Sequence, residues 1–346
     1  MSGTMTVEAI RAARADKPAL RARDLAESLG ISEAELVAAH VGRGVTRISA
    51  DPDRLVAGLA PLGDVLALTR NEHCVHERRG SYLDYRGGRQ ASMVLGAEID
   101  LRIFPAHWVH GFAVVETGEG GVKRSLQVFD AAGDAVHKVH LKPESDVAAF
   151  DRLVADLRAP DQNPDLAVAA RAAAEPAKGD PARAGELRDA WTRMTDTHQF
   201  LTMVRRLGMN RLGAYRMVGE SHARPLSRES VTALLHGAAA GAVPIMIFVG
   251  NRGCIQIHSG PVEKVVPMGP WINVMDPRFN LHLRADRVAE VFSVTKPTRT
   301  GPAVSVEAFD AAGELILQVF GWRKDGAPLA WEALAAGLPR LEEVPA

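Results

Sequence analysis

The sequence predicts an α+β protein of two tandem structural repeats, each a large antiparallel β-sheet with flanking α-helices. Three observations lead there. The motif Asn-x-x-Cys occurs at 71–74 and again at 251–254, 180 residues later. The pentapeptide Phe-Asp-Ala-Ala-Gly occurs at 129–133 and at 309–313, at the same spacing of 180. Short runs of alternating or β-branched residues follow one another closely, separated by Gly-rich turns, as antiparallel strands do. Two unrelated landmarks sharing one spacing identify an internal duplication. The offset also relates Gly80 to Gly260, Val94 to Val274, Leu101 to Leu281, Phe112 to Phe292 and Ser125 to Ser305. Positions that match read as scaffold. Positions that differ are where a specific activity can have been built.

The chain opens with helical patterns over 19–29, 32–41 and 51–62. Ser32 followed by Glu35 is a capping-box signature. The first two patterns together resemble a helix-turn-helix. The second carries Glu33 and Glu35 and no basic residue before Arg43, so it lacks donors for bases and phosphates and reads as an ordinary helical hairpin. Strands are expected at Val65–Arg70, 74–79, 91–95, 99–104, 108–116, 125–129 and Ala135–Leu141, then a helix at 145–157. Residues 158–185 form an Ala- and Pro-rich linker, in which 166–174 could be helical. A long helix is expected over 185–207, then further helices through Tyr215 and over 227–240. Strands resume at 244–249 and run to 315–322, before a last helix at 329–338. The boundaries drawn are an N-terminal repeat at 1–157, the linker, and a C-terminal repeat at 186–346.

Composition narrows the function. With 346 residues, 47% hydrophobic and 24% charged, the chain has the balance of a globular protein of two ordinary domains. A net charge of −1 gives no global attraction to nucleic acid or an anionic bilayer. No stretch reaches the roughly 18 apolar residues of a spanning helix, and the N-terminal residues lack an apolar signal core. The expectation is a cytoplasmic protein without membrane insertion. The two cysteines, Cys74 and Cys254, stand at equivalent repeat positions and outside any Cys-x-x-Cys pattern, so they read as small buried strand residues.

Three departures from the repeat are the candidates for function. Arg102 stands opposite His282. His76 stands opposite Gln256. The segment carrying His198 has no close counterpart. A histidine beside Phe200, Leu201 and Val204 is either a half-buried helix residue or a ligand. An arginine inside an apolar strand must find acceptors, either a carboxylate such as Asp100 or groups in a polar cavity. His73 and His76 differ by three on a strand and cannot jointly chelate a metal.

The long motifs carry a resemblance. The run at 250–274, Gly-Asn-Arg-Gly-Cys-Ile-Gln-Ile-His-Ser-Gly-Pro-Val-Glu-Lys-Val-Val-Pro-Met-Gly-Pro-Trp-Ile-Asn-Val, precedes Asn-Leu-His-Leu at 280–283, Thr-Lys-Pro-Thr at 295–298 and Gln-Val-Phe-Gly-Trp-Arg at 318–323. Earlier stand Arg-Asn-Glu-x-x-Val-His-Glu at 70–77, Asp-Leu-Arg-Ile-Phe at 100–104 and Thr-Asp-Thr-His-Gln-Phe at 195–200. Together these resemble the haemin-degrading and haem-transport proteins of Gram-negative haem uptake, the HemS/HmuS type. The resemblance covers nearly the whole chain and is weakest in the linker.

It implies one haem held between the repeats. His198 would be the proximal iron ligand, a role neutral imidazole suits. Arg102 would lie on the distal side, donating hydrogen bonds to what the iron binds there. Lys296 and Arg323 would meet the propionates, with Arg205 and Arg206 as further candidates. His76 matches a histidine implicated in a second haem site in some relatives. Where many relatives have Leu-Tyr-Gly-Gln-Arg, this chain has Val-Phe-Gly-Trp-Arg at 319–323, so a tyrosine hydroxyl is lost there.

The implied function is cytoplasmic haem binding in iron uptake that supports haem breakdown with iron release. Haem carries the oxidative chemistry, making the protein either a haem-degrading oxidoreductase or not an enzyme at all. The alternative is a carrier or store that receives haem from an inner-membrane transporter and delivers it to a separate haem oxygenase. No Gly-x-Gly-x-x-Gly follows a strand, so an enzyme would take electrons from an external donor. A helix-turn-helix regulator is the remote alternative, opposed by the charge balance.

Overall fold

The computed structural model describes residues 5–322 and 328–341. The chain divides into two compact units. Unit 1 comprises Met1–Arg70, His76–Ala172 and Gly250–Gln256; unit 2 comprises Asn71–Val75, Ala173–Val249 and Ile257–Ala346. Each unit therefore includes the Asn-x-x-Cys corner that the other sequence repeat encodes.

The first repeat runs α1 (Val7–Asp16), α2 (Ala22–Leu29), α3 (Glu33–Ala38), β1 (Val45–Ile48), α4 (Pro52–Leu55), β2 (Val65–Arg70), β3 (Cys74–Gly80), β4 (Tyr85–Arg86), β5 (Ser92–Leu95), β6 (Asp100–Ile103), β7 (His110–Gly118), β8 (Gly121–Phe129), β9 (Ala135–Leu141) and α5 (Val147–Leu157). The second runs α6 (Ala184–Thr192), α7 (Gln199–Arg206), α8 (Arg211–Val218), β10 (Ala223–Leu226), α9 (Ser230–Ala240), β11 (Ile245–Gly250), β12 (Cys254–Gly260), β13 (Val265–Met268), β14 (Trp271–Met275), β15 (Phe279–Arg284), β16 (Glu290–Lys296), β17 (Ala303–Phe309), β18 (Leu315–Gly321) and α10 (Pro328–Ala336).

All the strand pairings within the units are antiparallel. In unit 1 they run β1-β7-β8-β9-β2, with a shorter run β4-β5-β6. Unit 2 repeats this as β10-β16-β17-β18-β11 and β13-β14-β15. The duplication holds at the level of register. Ser125 pairs with His140 and Ser305 with Phe320, and both hairpins shift register just before Phe129 and Phe309.

The duplicated motifs are scaffold. Asp130 Oδ1 accepts from the amides of Ala132 and Asp134, and Asp310 Oδ1 from those of Ala312 and Glu314. The turn closes through Gly133 and Gly313 at φ 80° and 87°, a conformation that side chains with a Cβ rarely adopt. Asn71 and Asn251 fold their own corners by accepting the amide of the cysteine three residues on, at 2.9 and 3.0 Å. Their Nδ2 groups then donate to the carbonyls of Ile316 and Val136, themselves a repeat pair. Cys74 and Cys254 are free and buried, and burial raises both thiols, Cys254 to about 12, which disfavours the thiolate.

Each unit closes its core with helices. The apolar side of α5 buries Ala149, Phe150, Leu153 and Leu157, with Asp146 capping its first turn through the Ala149 amide. The α2–α3 pair is a capped hairpin: Ser32 and Glu35 form the expected capping box. Glu33 is buried between Lys138 at 2.5 Å and Arg70 at 2.6 Å, tying α3 to β9 and β2. Burial pushes the Glu33 carboxyl up, but the two cations outweigh it and hold it at about 2. His137 is also buried, between the Thr69 hydroxyl at 2.8 Å and the Tyr82 hydroxyl at 2.5 Å. Burial drives it down to about 3, so it is neutral in the fold.

Several elements differ from expectation. The helix drawn over 185–207 is two helices, α6 and α7, because Asp196 captures the backbone between them. Residues 166–174 form neither helix nor strand: the Ala169 amide donates to the Ala131 carbonyl instead of to its own segment. The 51–62 pattern splits into α4 and a 3-10 turn at Ala60–Leu62. The edge strands β1 and β10 escaped notice because four residues are too few to show a period.

Two tests follow from the buried charges. Glu33→Gln leaves the buried Lys138 and the partly buried Arg70 without their anion and is expected to cost about 3 kcal/mol in urea denaturation; a loss below about 1 kcal/mol would show the triad to be dispensable. For pH, the unfolded chain protonates His137 near its usual 6.5 while the fold keeps it neutral to about 3. Stability therefore falls as pH drops below 6.5. Glu33 adds a second loss as pH drops from its ordinary 4.5 toward about 2. In His137→Gln the slope between pH 6 and pH 4 should flatten by about one proton.

Candidate functional site

The site is built on the break between α6 and α7. Residues 193–198 leave the helical path, and Asp196 organises them by accepting the backbone amide of His198 at 2.9 Å. Local Asp-to-backbone bonding of this kind competes with helix and ends α6. The new helix then starts with His198 at its N-cap. Its inward face buries Phe200 and Val204 against Trp191 and Tyr215; the Phe200 ring lies 5.1 Å from Trp191 and 5.4 Å from Tyr215. Trp191 is in turn fixed by donating to the Thr295 carbonyl at 2.9 Å.

With Phe200 pointing in, helical spacing places His198, Leu201, Thr202 and Arg205 on the outward side, and all four are exposed. The His198 side chain is 93% exposed. Its Nδ1 lies 2.6 Å from Asp196 Oδ1. An ionised carboxylate only accepts, so Nδ1 carries the hydrogen and Nε2 presents its lone pair outward. The Asp196 carboxyl is held below its usual range, first by the His198 amide and then by the imidazole. An imidazole oriented and made more basic by a carboxylate on its other nitrogen is the usual state of a metal-ligating histidine.

Arg102 is in β6 and remains one-third exposed. It pairs with Asp100 two residues back and donates to the Leu101 carbonyl at 3.0 Å. Burial raises Asp100 and outweighs the opposing pull of Arg102. Of the two options foreseen for this arginine, the carboxylate partner is the one seen here.

His76 is fully buried in β3. Lys296 is buried at the end of β16, its ammonium 2.8 Å from Glu307 Oε1 and 2.9 Å from the Tyr215 hydroxyl. Arg323 lies outside the described residues. Arg205 and Arg206 are exposed on the last turn of α7. Arg102 and His76 belong to unit 1, and His198 and Lys296 to unit 2. Lys296 comes close to the His198 helix through Phe200, whose ring centroid is 4.8 Å from its ammonium.

Sequence reasoning missed Asp196 and Glu307. Asp196 had a signal: an Asp two residues before a histidine, at an expected helix, suits an Asx turn. Glu307 had another, since its repeat partner is Gln127.

Comparison with known proteins gives the chain a family context. The haemin-degrading HemS/ChuX domain matches residues 30–157 and again 208–338. The hemin transport protein HmuS of Yersinia pestis is 40% identical over 320 residues, 91% of each chain. Holo-PhuS, a heme-binding protein from Pseudomonas aeruginosa, superposes with a TM-score of 0.92 at 43% identity, covering 97% of this chain and 98% of that one. The heme-degrading enzyme ChuS of Escherichia coli O157:H7 gives a TM-score of 0.85 at 34% identity, covering 94% of this chain and 96% of that one.

The Asp196 contact predicts the tautomer of His198. In ¹⁵N-labelled protein, the neutral form of His198 should be the Nδ1–H tautomer. Asp196→Asn should move it toward the mixture of an unconstrained imidazole. An unchanged pattern in the variant would remove Asp196 from the site.

Proposed function

We propose that this chain, which belongs to the haemin-degrading HemS/ChuX domain family, binds haem in iron uptake and supports its breakdown with iron release. The single observation that supports this best is His198, an exposed imidazole with its Nδ1 on Asp196 and its Nε2 directed outward. One histidine suffices for an iron whose other ligands arrive with the macrocycle. Leu201, 40% exposed one turn on, offers an apolar surface beside it. Arg205 lies seven residues from His198, about 10 Å along the helix axis. That is a reach suited to a propionate, so Arg205 and Arg206 take that part in this proposal. Arg323, by resemblance, is a further propionate partner. Lys296 and His76 are buried, so the reading does not rest on them.

Arg102 is proposed as the distal donor. Its guanidinium stays charged and cannot serve as a proton acceptor, so it would favour negative charge developing near it. Asp100, held by the same arginine, would fix its direction. When bound, haem supplies the redox chemistry; the chain supplies the axial imidazole and a fixed donor. Electrons would come from an external donor, and haem from an inner-membrane transporter. Among the described residues no helix is long and apolar enough to cross a membrane; a cytoplasmic location is part of the proposal. The second reading, delivery of intact haem to a separate oxygenase, is favoured by relatives named hemin transport proteins.

Haemin titration tests the ligand. His198→Ala should shift the Soret band and weaken affinity by at least about tenfold, and Asp196→Asn by about tenfold, the usual scale for losing a ligand's orienting partner. An unaltered spectrum and affinity in His198→Ala would exclude His198 as the ligand. To separate the two readings, the haem-loaded protein is incubated with an electron donor and catalase. Breakdown predicts loss of the Soret band with an open-chain tetrapyrrole and chelatable iron. Persistent haem would leave the carrier reading.

A further inference from the structure

Beneath the outward face of α7 lies a buried charge cluster that the haem-binding reading does not use. Glu307 has no solvent exposure. Its Oε1 accepts from Lys296 Nζ at 2.8 Å and Ser305 Oγ at 2.9 Å; its Oε2 accepts from Arg211 at 2.6 Å and the Tyr215 hydroxyl at 2.8 Å. Both cations also face one aromatic ring. Lys296 Nζ lies 4.8 Å, and the Arg211 guanidinium carbon 5.7 Å, from the centroid of Phe200. Phe200 is two residues after His198.

The duplication says this is no generic feature of the fold. Ser305 and Ser125 are the same repeat position, yet Glu307 is matched by Gln127 and Lys296 by Glu116. Gln127 receives no cation; its Nε2 donates to Ser125 at 3.0 Å. Glu116 is exposed. The first repeat thus has a neutral amide where the second has a charged cluster, and no helix in the first repeat carries a histidine over it.

We infer that Glu307 is a positioning residue for His198: it holds Lys296 and Arg211 against the face of Phe200, and Phe200 sets the first turn of α7 and with it the direction of the imidazole. The inference assigns Lys296 inward, to the ring and the carboxylate, in place of a propionate. It rests on His198 as the haem ligand only for its consequence in binding. The clamp itself is a property of the apoprotein. A ring facing a buried ammonium and a partly buried guanidinium is held more firmly than one in plain apolar contact.

The test compares Phe200→Leu, Phe200→Tyr and Glu307→Gln by amide hydrogen exchange and by the His198 ring resonances, all without haem. Phe200→Leu keeps an apolar side chain and removes the π face. It should speed exchange across α7 by about tenfold and broaden the His198 signals, while α9, which packs in a different core cluster, keeps its protection. Phe200→Tyr restores a π face and should return both readouts toward the parent. Glu307→Gln should act like Phe200→Leu; if it does not fold, the two Phe200 variants decide. Unaltered α7 exchange and His198 signals in Phe200→Leu, with α9 protected, overturn the inference. So does equal loosening in the Leu and Tyr variants, which would mean packing alone. In a parallel arm, haemin-loaded Phe200→Leu should show heterogeneous axial ligation by electron paramagnetic resonance. If His198→Ala leaves the haemin spectrum unchanged, the ligand assignment fails, and the exchange arm still decides the clamp.

Discussion

Glu307 is a carboxylate without a solvent contact, and much of unit 2 is arranged around answering its charge. A buried anion costs several kcal/mol unless cations and hydrogen-bond donors replace its water. Four donors do so, from β16, β17 and α8. Burial raises the carboxyl, but Lys296 and Arg211 together bring it down to about 2, so it stays ionised. Meeting this requirement fixes where α8 begins, because Arg211 opens it, and where β16 ends, because Lys296 closes it. The ring of Phe200 then covers both cations, and the outward face of α7 is what remains. The exposed imidazole of His198 is therefore the far side of an electrostatic constraint.

The duplicated elements were legible because they carry redundant signals. The strand at Val65–Arg70 alternates buried and half-buried residues with period two, and its bounds are those expected. The two Phe-Asp-Ala-Ala-Gly turns have a conformation their Asp and Gly dictate. The break between α6 and α7 carried a signal in periodicity: Leu187, Trp191 and Met194 share one helical face, but in a continuous helix Phe200, Val204 and Leu207 would fall on the opposite one, so the apolar stripe changes phase. Asp196 makes the break by taking a backbone amide. The segment 166–174 has the alanine content of a helix but forms none, held instead by the backbone of a neighbouring turn and by Arg171 on Asp134.

The site was legible in part. His198 and Arg102 stood out as departures from the repeat, and the structure gives each a carboxylate two residues before it, Asp196 and Asp100. This shared spacing gives each side chain a local carboxylate partner. Lys296 was expected to meet a propionate because sequence shows its charge and not its direction. On a strand, direction depends on parity: Val294 and Lys296 both face the core, and a buried lysine there demands the buried glutamate eleven residues on.

The pairing of Gln127 with Glu307 has a genetic consequence. Two similar halves in one gene invite unequal exchange and conversion between them. Copying the β17 segment into the first half would put a carboxylate at 127 opposite Lys138, which Glu33 already answers, and without a lysine at 116. Copying the other way would strand Lys296 and Arg211. The first event would add a carboxylate to a pair already satisfied, and the second would leave the buried Lys296 without its anion. The mismatch thus works as a barrier to homogenisation, so the halves can keep diverging while the spacing of 180 residues between them stays intact.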